Sequence, residues 1–393
     1  MTRAVKTSHL TAAKSAKNDE FYTQWADIER EMNAYLEYDP DVFRDKVVLL
    51  PCDDPEWSNF TKFFALHFVD FGLKKLISTS YAPDSNPAGE FYQPTLFETE
   101  DPKFDATKTR VNGKKFVLEP KDINGDGVVN IDDLQWEYLE GDGDFRSAEV
   151  TALRDEADIV TTNPPFSLFR SFVAWVIESG KQFSFIGTMN GITYKEVFPL
   201  IKQNKLWLGR GFQAGNAYFA TTHDTGAYAK GVYDAVTGLV KFRNACWYTN
   251  IDHGRRHEPL QLMTHADNLR YNKKLIKSLS GATDYLPYVN YDAIEVPFTD
   301  AIPSDYDGVM GVPITFLERY NPDQFEIMGT NDNGLVSESV KVTPGLTQKF
   351  VDDYYAGGGT GAYKAGNPTA GYYDANGTAR MAYKRFFIRR IDA

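Results

Sequence analysis

The chain has 393 residues, of which 42% are hydrophobic and 24% charged, a composition typical of folded globular proteins and not of long disordered regions. Its 54 acidic and 42 basic residues give a net charge of −12, which argues against a protein that coats nucleic acid through its overall charge but does not exclude a local basic face. There is no apolar run of about 18 residues, and only two cysteines occur, so we expect a cytoplasmic protein without a membrane-spanning segment or a disulfide framework.

The first part of the chain predicts alternating strands and helices. Apolar residues at helical spacing predict an amphipathic helix within 19–38. The run DKVVLLP (45–51) predicts a buried strand, and it leads into the acidic turn CDDP (52–55). A helix over 58–72 and a strand over 74–80 follow, which completes a strand–helix–strand unit with a right-handed crossover.

An insertion is predicted next, over about 81–140, because the alternation stops in a stretch rich in Pro, Asp and Ser. This insertion contains a predicted hairpin around Asn112-Gly113. The alternation resumes with the strand and polar turn of ADIVTTNPPF (157–166), and a second insertion is predicted over about 209–243. Together these features favour an α/β fold with a mostly parallel, doubly wound sheet.

The pattern changes after about residue 266, where short strand-like pieces are separated by Pro and Gly. The chain then ends in the alternating, basic segment RMAYKRFFIRR (380–390). We therefore expect three parts: an N-terminal arm and helix over 1–38, an α/β domain over 39–265, and an irregular region over 266–393.

The segment Asn163-Pro164-Pro165-Phe166 follows directly after an apolar strand, at the sheet edge where ligands bind in doubly wound folds. The Asn163 side-chain carbonyl and the Pro164 backbone carbonyl can both accept hydrogen bonds from an exocyclic NH2 group. Accepting both pulls the nitrogen toward tetrahedral geometry and localises its lone pair for attack. Pro165 stiffens the turn, and Phe166 offers a face to a planar base. The alternative is a rigid turn without chemistry, but the preceding strand favours a catalytic role.

Several segments resemble those of the EcoRI-type adenine-specific DNA methyltransferases, which use S-adenosylmethionine. The NPPF segment by itself is shared by amino-methyltransferases of nucleic acids and by some that act on protein glutamine, whereas the combination of DEFYT, CDDP and GDGDFRS is much more specific. The resemblance covers most of the chain. Its segments are KNDEFYT (17–23), CDDP (52–55), SNF (58–60), GDGDFRS (141–147), NPPF (163–166) and ITYKE (192–196).

This resemblance implies a class I (Rossmann-like) methyltransferase domain followed by a C-terminal target-recognition region. It implies transfer of a methyl group to N6 of an adenine that is flipped out of double-stranded DNA, in restriction-modification or in host or phage DNA modification. Two alternatives stay open: methylation of another amine, such as adenine in RNA or a protein glutamine, and a catalytically silent DNA-binding module of the same fold. We expect a monomer.

The same resemblance implies a cofactor cleft. The N-terminal motif would close over the methionine moiety, one of the two aspartates of CDDP would accept from the ammonium or the ribose, and Asp144 would accept from the adenine amine. The alternative for the acidic turns is solvation or helix capping. Neither a glycine-rich turn after the first strand nor a carboxylate at the end of the second is present. The predicted cofactor-binding residues are Phe21, Tyr22, Thr23, Asp53, Asp54, Asp144 and Phe145.

A further segment has the spacing of a calcium-binding loop, with oxygen-bearing side chains at loop positions 1, 3, 5, 9 and 12 and a glycine at position 6. A helix is predicted to follow it, over IDDLQWEYLE (131–140). The alternative is a turn rich in Asp, Asn and Gly that holds no ion. Any calcium would be structural. The predicted ligands are Asp122, Asn124, Asp126, Asn130 and Asp133.

Basic residues cluster at 253–257, at Lys273, Lys274 and Lys277, and in the terminal segment, and together they predict a local face for DNA phosphates. The alternative is a solvated surface and a closing strand whose arginines face water. The predicted DNA-binding residues are Arg255, Arg256, Lys384, Arg385, Arg389 and Arg390.

Overall fold

The structure, a computed structural model, describes residues 21–55, 58–85, 99, 101–212, 216–220, 231–343 and 345–391. Most of the predicted N-terminal arm, the first four residues of the KNDEFYT motif and parts of both predicted insertions lie outside the described residues. The described residues form two compact units. The first unit holds those up to Met189 together with those of Leu208–His253, and the second holds those of Asn190–Trp207 with those from Gly254 onward.

The first unit contains helices and strands in alternation. Its helices are α1 (Trp25–Tyr38), α2 (Asn59–Leu66), α3 (Ala106–Val111), α4 (Ala148–Glu156) and α5 (Phe169–Glu178). Its strands are β1 (Tyr22–Thr23), β2 (Val47–Leu50), β3 (Lys75–Ser80), β4 (Lys114–Leu118), β5 (Gln135–Tyr138), β6 (Ile159–Thr162), β7 (Gln182–Thr188), β9 (Ala217–Ala220), β10 (Tyr233–Asp234), β11 (Leu239–Phe242) and β12 (Ala245–Thr249), and β8 (Trp207–Leu208) lies at the boundary of the two units.

An eight-stranded sheet with the order β5-β4-β3-β2-β6-β7-β12-β8 organises this unit. The four strands β3, β2, β6 and β7 are parallel, and β4, β5 and β12 run antiparallel to their neighbours. The chain leaves β2 for β3 on one side and β6 for β7 on the other, so the strand order reverses between β2 and β6. Both strands are apolar or β-branched and fully buried. The sheet confirms the α/β class, and such a reversal is the point where ligands bind in doubly wound sheets.

A second, four-stranded sheet in the same unit has the order β1-β9-β11-β10 and antiparallel pairing. The pair Tyr22↔Ala220 joins the N-terminal motif to β9. A turn at Thr237-Gly238 connects β10 to β11 within this sheet. Tyr22 and Thr23 are therefore extended and paired, and α1 begins only at Trp25.

Two local predictions are wrong. Asn112-Gly113 does not form a hairpin, because it connects α3 to β4, and Asn112 caps the end of the helix. The helix predicted over IDDLQWEYLE is instead a short 3-10 turn over Ile131–Asp133 followed by β5. Pairing with β4 explains the second error, since the alternation in QWEY places Glu137 opposite Lys115, where the two charges form an ion pair.

The second unit is built around small sheets. Its helices are α6 (Phe198–Lys202), α7 (His265–Tyr271), α8 (Lys273–Ser278) and α9 (Gln348–Ala356), and its strands are β13 (Ile294–Glu295), β14 (Met310–Pro313), β15 (Phe325–Thr330), β16 (Gly371–Tyr373), β17 (Ala379–Met381) and β18 (Arg385–Arg390). In the sheet β13-β14-β18-β15, the terminal strand β18 is central, and its residues Phe386, Phe387 and Ile388 are fully buried. No described helix is long and apolar enough to cross a membrane.

Candidate active site

Asp53 lies between the carboxyl ends of β2, β3 and β6. Its backbone N–H donates to the carbonyl of Thr79 at 3.0 Å, and its side chain is buried. The Ser58 hydroxyl donates to Asp53 Oδ1 at 2.6 Å, and the Thr162 hydroxyl donates to Oδ2 at 2.5 Å. Burial raises the pKa of Asp53 to about 7, against the two hydroxyl donors, which lower it. The carboxylate therefore joins the turn after β2 to the last residue of β6.

Asn163 directly follows Thr162 at the end of β6. Its Nδ2 donates a hydrogen bond to the backbone carbonyl of Phe21. Its Oδ1 is buried and has no hydrogen-bond partner among the described residues. A buried acceptor without a donor costs free energy in the absence of a ligand, so this oxygen is positioned to receive one.

Phe166 belongs to an aromatic cluster. Its ring centroid lies 5.9 Å from that of Phe21, 5.6 Å from Phe242 and 6.2 Å from Phe219, and its side chain is only 6% exposed. A base can stack on Phe166 only after one of these rings moves.

Residues 21–23 form a short segment that we call the N-terminal strap. Strand pairing with β9 holds one side of the strap, and the Thr23 carbonyl accepts from Asn59 Nδ2 at 2.7 Å. The Phe21 carbonyl accepts from Asn163, as described above. The Thr23 hydroxyl is buried without a hydrogen-bond partner among the described residues. The strap thus links the SNF segment to the catalytic candidate and presents an unpaired polar atom.

The GDGDFRS segment passes against the carboxyl end of β3. The Ala82 N–H donates to the carbonyl of Asp142 at 2.7 Å, and a Cβ on Gly143 would overlap the carbonyl oxygen of Ser80. Gly143 also has a φ of +86°, which L side chains rarely adopt. This close approach places Asp142 at the end of a strand that has no carboxylate of its own. Asp142 was not among the residues predicted from the sequence. The one local feature that could have indicated it is the pair of glycines that flank it, Gly141 and Gly143.

The side chains of this segment differ in their surroundings. Tyr81 donates to Asp142, and burial together with this carboxylate raises the pKa of Tyr81. Hydrogen bonds from Arg146 hold the pKa of Asp144 below its ordinary value. Phe145 is buried, with its ring centroid 5.3 Å from Phe172. Asp142 therefore accepts from Tyr81, Asp144 is an anion paired with Arg146, and Phe145 packs into the core.

The sequence profile of the family described as "Adenine-specific methyltransferase EcoRI" matches residues 9–391. The chain belongs to this family. It is 41% identical over 330 residues to the Type II methyltransferase M.EcoRI of Escherichia coli, which covers 84% of this chain and 90% of that relative. It is 34% identical over 323 residues to the Type II methyltransferase M.MpnI of Mycoplasma pneumoniae, covering 81% and 85% of the two chains. A comparison with solved structures gave no significant match.

Membership identifies the protein as an adenine-specific DNA methyltransferase and implies that S-adenosylmethionine is its methyl donor. The NPPF segment at the end of β6 stays the predicted catalytic motif of this EcoRI-type methyltransferase. The roles of its individual site residues remain predictions.

Most of the predicted DNA-binding residues of this EcoRI-type methyltransferase have internal partners. Arg385 donates to both oxygens of the nearly buried Glu295, at 3.1 and 2.6 Å. The pKa of Arg385 is raised by that carboxylate, against burial. Lys384 pairs with Asp332 at 2.7 Å and donates to Thr193. These two side chains are used to hold the second unit together.

The remaining predicted DNA-binding residues vary in exposure. Arg256 is buried, with its guanidinium 3.7 Å from the centroid of Trp207 and a hydrogen bond to Asn204. Arg389 pairs with Glu326 at 2.8 Å, and both side chains are about half exposed. Arg255 and Arg390 are partly exposed. Arg389 is the most accessible of the predicted cations of β18.

In the segment with calcium-loop spacing (122–133), backbone N–H groups donate to the side-chain oxygens that were predicted to bind the ion. Asp122 accepts from the N–H groups of Gly125 and Gly127 at 2.6 and 2.8 Å. Asp133 accepts from Ile123, Asn124 and Asn130, which lowers its pKa. The side-chain oxygens of Asn124, Asp126 and Asn130 each accept from the backbone N–H group two residues further along the chain. Within the described residues, no group of three or more His, Cys, Asp or Glu side chains could hold a metal ion. The calcium interpretation is not supported, and the loop is a turn held by Asp and Asn side chains.

Proposed function

We propose that this methyltransferase methylates N6 of an adenine flipped out of double-stranded DNA, and that Asn163 Oδ1 and the Pro164 carbonyl accept the hydrogen bonds of its amino group. The buried Oδ1 of Asn163, which has no described partner, carries this proposal. The donation of Nδ2 to Phe21 supports it, because it turns the oxygen and not the nitrogen toward the ligand.

S-adenosylmethionine, when bound, supplies an electrophilic methyl group on a positively charged sulfur. The chain's own contribution is to position the amine and to keep its lone pair available. Asn163 and Pro164 do this as acceptors. Pro165 fixes the turn, and Phe166 stacks on the base once the aromatic cluster around it opens. After methyl transfer the nitrogen carries a positive charge and is strongly acidic, so it releases one proton to solvent water.

The residues present fit the cofactor. Its ribose hydroxyls and adenine amine need acceptors, which Asp142 and Asp144 offer at the end of β3. Its amino acid head needs polar partners, and the Thr23 hydroxyl is buried without one among the described residues. One of the two aspartates of the CDDP turn, Asp53 or Asp54, would accept from the ammonium, and the Asp53 carboxylate also accepts from the hydroxyls of Ser58 and Thr162.

The finer fold assignment is also part of the proposal. Strand order reversal between β2 and β6 and an antiparallel β12 next to β7 support a class I (Rossmann-like) methyltransferase domain. We place target recognition in the second unit, with Arg255, Arg389 and Arg390 as candidate phosphate contacts. DNA as the substrate supports a cytoplasmic location, and we propose that the protein acts as a monomer within a restriction-modification or DNA-modification system.

Methyl-labelled cofactor tests the proposal directly. The protein is incubated with labelled S-adenosylmethionine and, separately, with duplex DNA, RNA and a protein extract, and the labelled product is digested and separated. We expect label in duplex DNA that elutes with N6-methyladenine. Label only in RNA or protein, in methylcytosine, or in none of the substrates would overturn the proposal, and the last outcome would favour a catalytically silent DNA-binding module.

A further inference from the structure

Four cations lie close together in sequence on the short helices α7 and α8. Arg270 is in the last turn of α7, and Lys273, Lys274 and Lys277 are in α8. All four side chains belong to exposed residues. Among the described residues, only Lys274 has a carboxylate partner, since its Nζ lies 3.0 Å from Asp300. We call Arg270, Lys273, Lys274 and Lys277 the α7–α8 basic face.

This face contrasts with the cations that the terminal segment predicted for DNA. Arg385 and Lys384 are committed to Glu295 and Asp332, and Arg389 is paired with Glu326. The cations of the α7–α8 basic face keep most of their hydrogen-bonding capacity for a partner. A local excess of positive charge on a chain with a net charge of −12 indicates a partner that is itself strongly anionic.

We propose that the α7–α8 basic face binds the phosphate backbone of the DNA duplex, independently of base sequence. The proposal rests on the proposed function, which makes duplex DNA the substrate, and adds the surface that holds it. Lys273 and Lys277 are four residues apart, so they lie on the same side of α8 with a rise of about 6 Å between them. That rise is close to two base steps of about 3.4 Å, so the two side chains can reach phosphates two steps apart on one strand.

The neighbouring side chain fits the same partner. Tyr271, at the end of α7, is 56% exposed and can add a neutral hydroxyl donor to a phosphate. Contacts of this kind set the position of a protein on the duplex without reading its sequence. The face therefore contributes affinity and salt dependence and leaves the choice of target to other residues.

A charge-matched pair of variants tests the proposal. The first carries Arg270→Gln, Lys273→Gln and Lys277→Gln. The control carries Arg44→Gln, Lys46→Gln and Lys74→Gln, which remove the same charge just before β2 and β3, at the sheet edge opposite Asn163. Binding of both proteins to a duplex that the wild type methylates, to a duplex that it does not methylate, and to an RNA is measured by fluorescence anisotropy over a series of salt concentrations. Thermal unfolding and affinity for S-adenosylmethionine are measured alongside.

The first variant should bind both duplexes at least about tenfold more weakly, and its salt slope should fall by about two to three, since each lost phosphate contact removes about 0.9. Its unfolding temperature and cofactor affinity should match those of the control. If the wild type methylates duplex DNA and the first variant has the same affinity and salt slope as the control, the α7–α8 basic face does not bind DNA. The proposed function would then still stand. Loss of affinity for RNA alone would also overturn the binding of DNA by this face. A wild type that neither methylates nor binds duplex would overturn both proposals.

Discussion

The Thr162 hydroxyl donates a hydrogen bond to Asp53 Oδ2 at 2.5 Å, and the two residues are 109 positions apart in the chain. Thr162 is the last residue of β6 and precedes Asn163, while Asp53 follows β2. This contact crosses the point where the strand order reverses. We infer that Asp53 acts on the reaction indirectly, by fixing the end of β6 and with it the position of Asn163.

Replacing Thr162 with Val should slow methyl transfer without weakening the cofactor complex. The change removes a hydroxyl that donates to a buried carboxylate, an interaction that contributes roughly 1.5–3 kcal/mol, so we expect a decrease of about 10- to 100-fold in kcat. Thr162→Ser keeps the hydroxyl and should restore most of the rate. Both variants are compared with wild type in steady-state assays and in calorimetric titrations with S-adenosylmethionine. A Val variant with wild-type kcat would show that Asp53 does not position Asn163.

The raised pKa of Asp53 predicts a specific pH dependence of stability. The pKa is about 7 in the folded protein and about 4 in an unfolded chain, so the folded state binds the proton more tightly. The resulting stability is complete below about pH 4 and is lost as the pH rises through about 7. Asp53→Asn does not ionise; one of the two hydroxyls, of Ser58 or Thr162, can still donate to the amide oxygen, and the other can rotate to accept from the amide NH2 group.

Urea unfolding of both proteins between about pH 5 and 8 measures this effect. The free energy of unfolding of wild type minus that of Asp53→Asn should fall as the pH rises. Glu31 and Asp27, whose pKa values are raised by burial, are present in both proteins and cancel in the difference. A difference that is constant or that grows with pH would contradict the assignment.

Glu31 should be a major determinant of stability in the first unit. Its buried carboxylate accepts from the N–H groups of Arg210 and Gly211, each at 3.1 Å, and from the Tyr35 hydroxyl at 2.6 Å. Glu31→Ala leaves these donors without their acceptor, and each costs roughly 1–3 kcal/mol, so the free energy of unfolding should fall by about 3 kcal/mol or more. The exposed Glu29 of the same helix is the matched control, and Glu29→Ala should change the free energy of unfolding by about 0.5 kcal/mol or less. Equal effects of the two substitutions in urea unfolding would refute this role.

Chelation of divalent ions should change neither the unfolding temperature nor the rate of methyl transfer. The oxygens of the 122–133 loop already accept backbone N–H groups, so an ion is not needed to hold its conformation. Calorimetry and activity assays with and without a chelator check this, and Asp133→Ala, which removes the acceptor of three N–H groups, provides the comparison that should destabilise the loop. A clear drop in the unfolding temperature of the wild type on chelation would show that the 122–133 loop does bind an ion.

The sequence predicted best the features that local pattern determines. The strand before Asn163 and its position at a sheet edge follow from a short apolar run and a polar turn, and the structure contains both. Asp142 was missed because a glycine-flanked loop brings it to β3 from about 60 residues away along the chain, which no local pattern records. Arg385 was predicted to face DNA because its partner Glu295, 90 residues earlier, could not be identified before the sheet was known. The wrong predictions of a hairpin around residue 112 and a helix around residue 135 have the same cause. Both segments adjoin β4, whose strand partners lie far away in the sequence.

The most direct test of the account is the single-turnover rate of methyl transfer to duplex DNA by Asn163→Ala. The substitution removes the acceptor oxygen for the adenine amine but leaves the Thr162–Asp53 contact and the GDGDFRS segment in place. We predict that the rate falls by at least about 10²- to 10³-fold, as when one oriented hydrogen-bonding group is removed from a reacting centre. Affinity for S-adenosylmethionine, measured by calorimetry on the same preparation, should stay within about twofold of wild type. A rate near that of wild type would contradict the assignment of Asn163 as the acceptor.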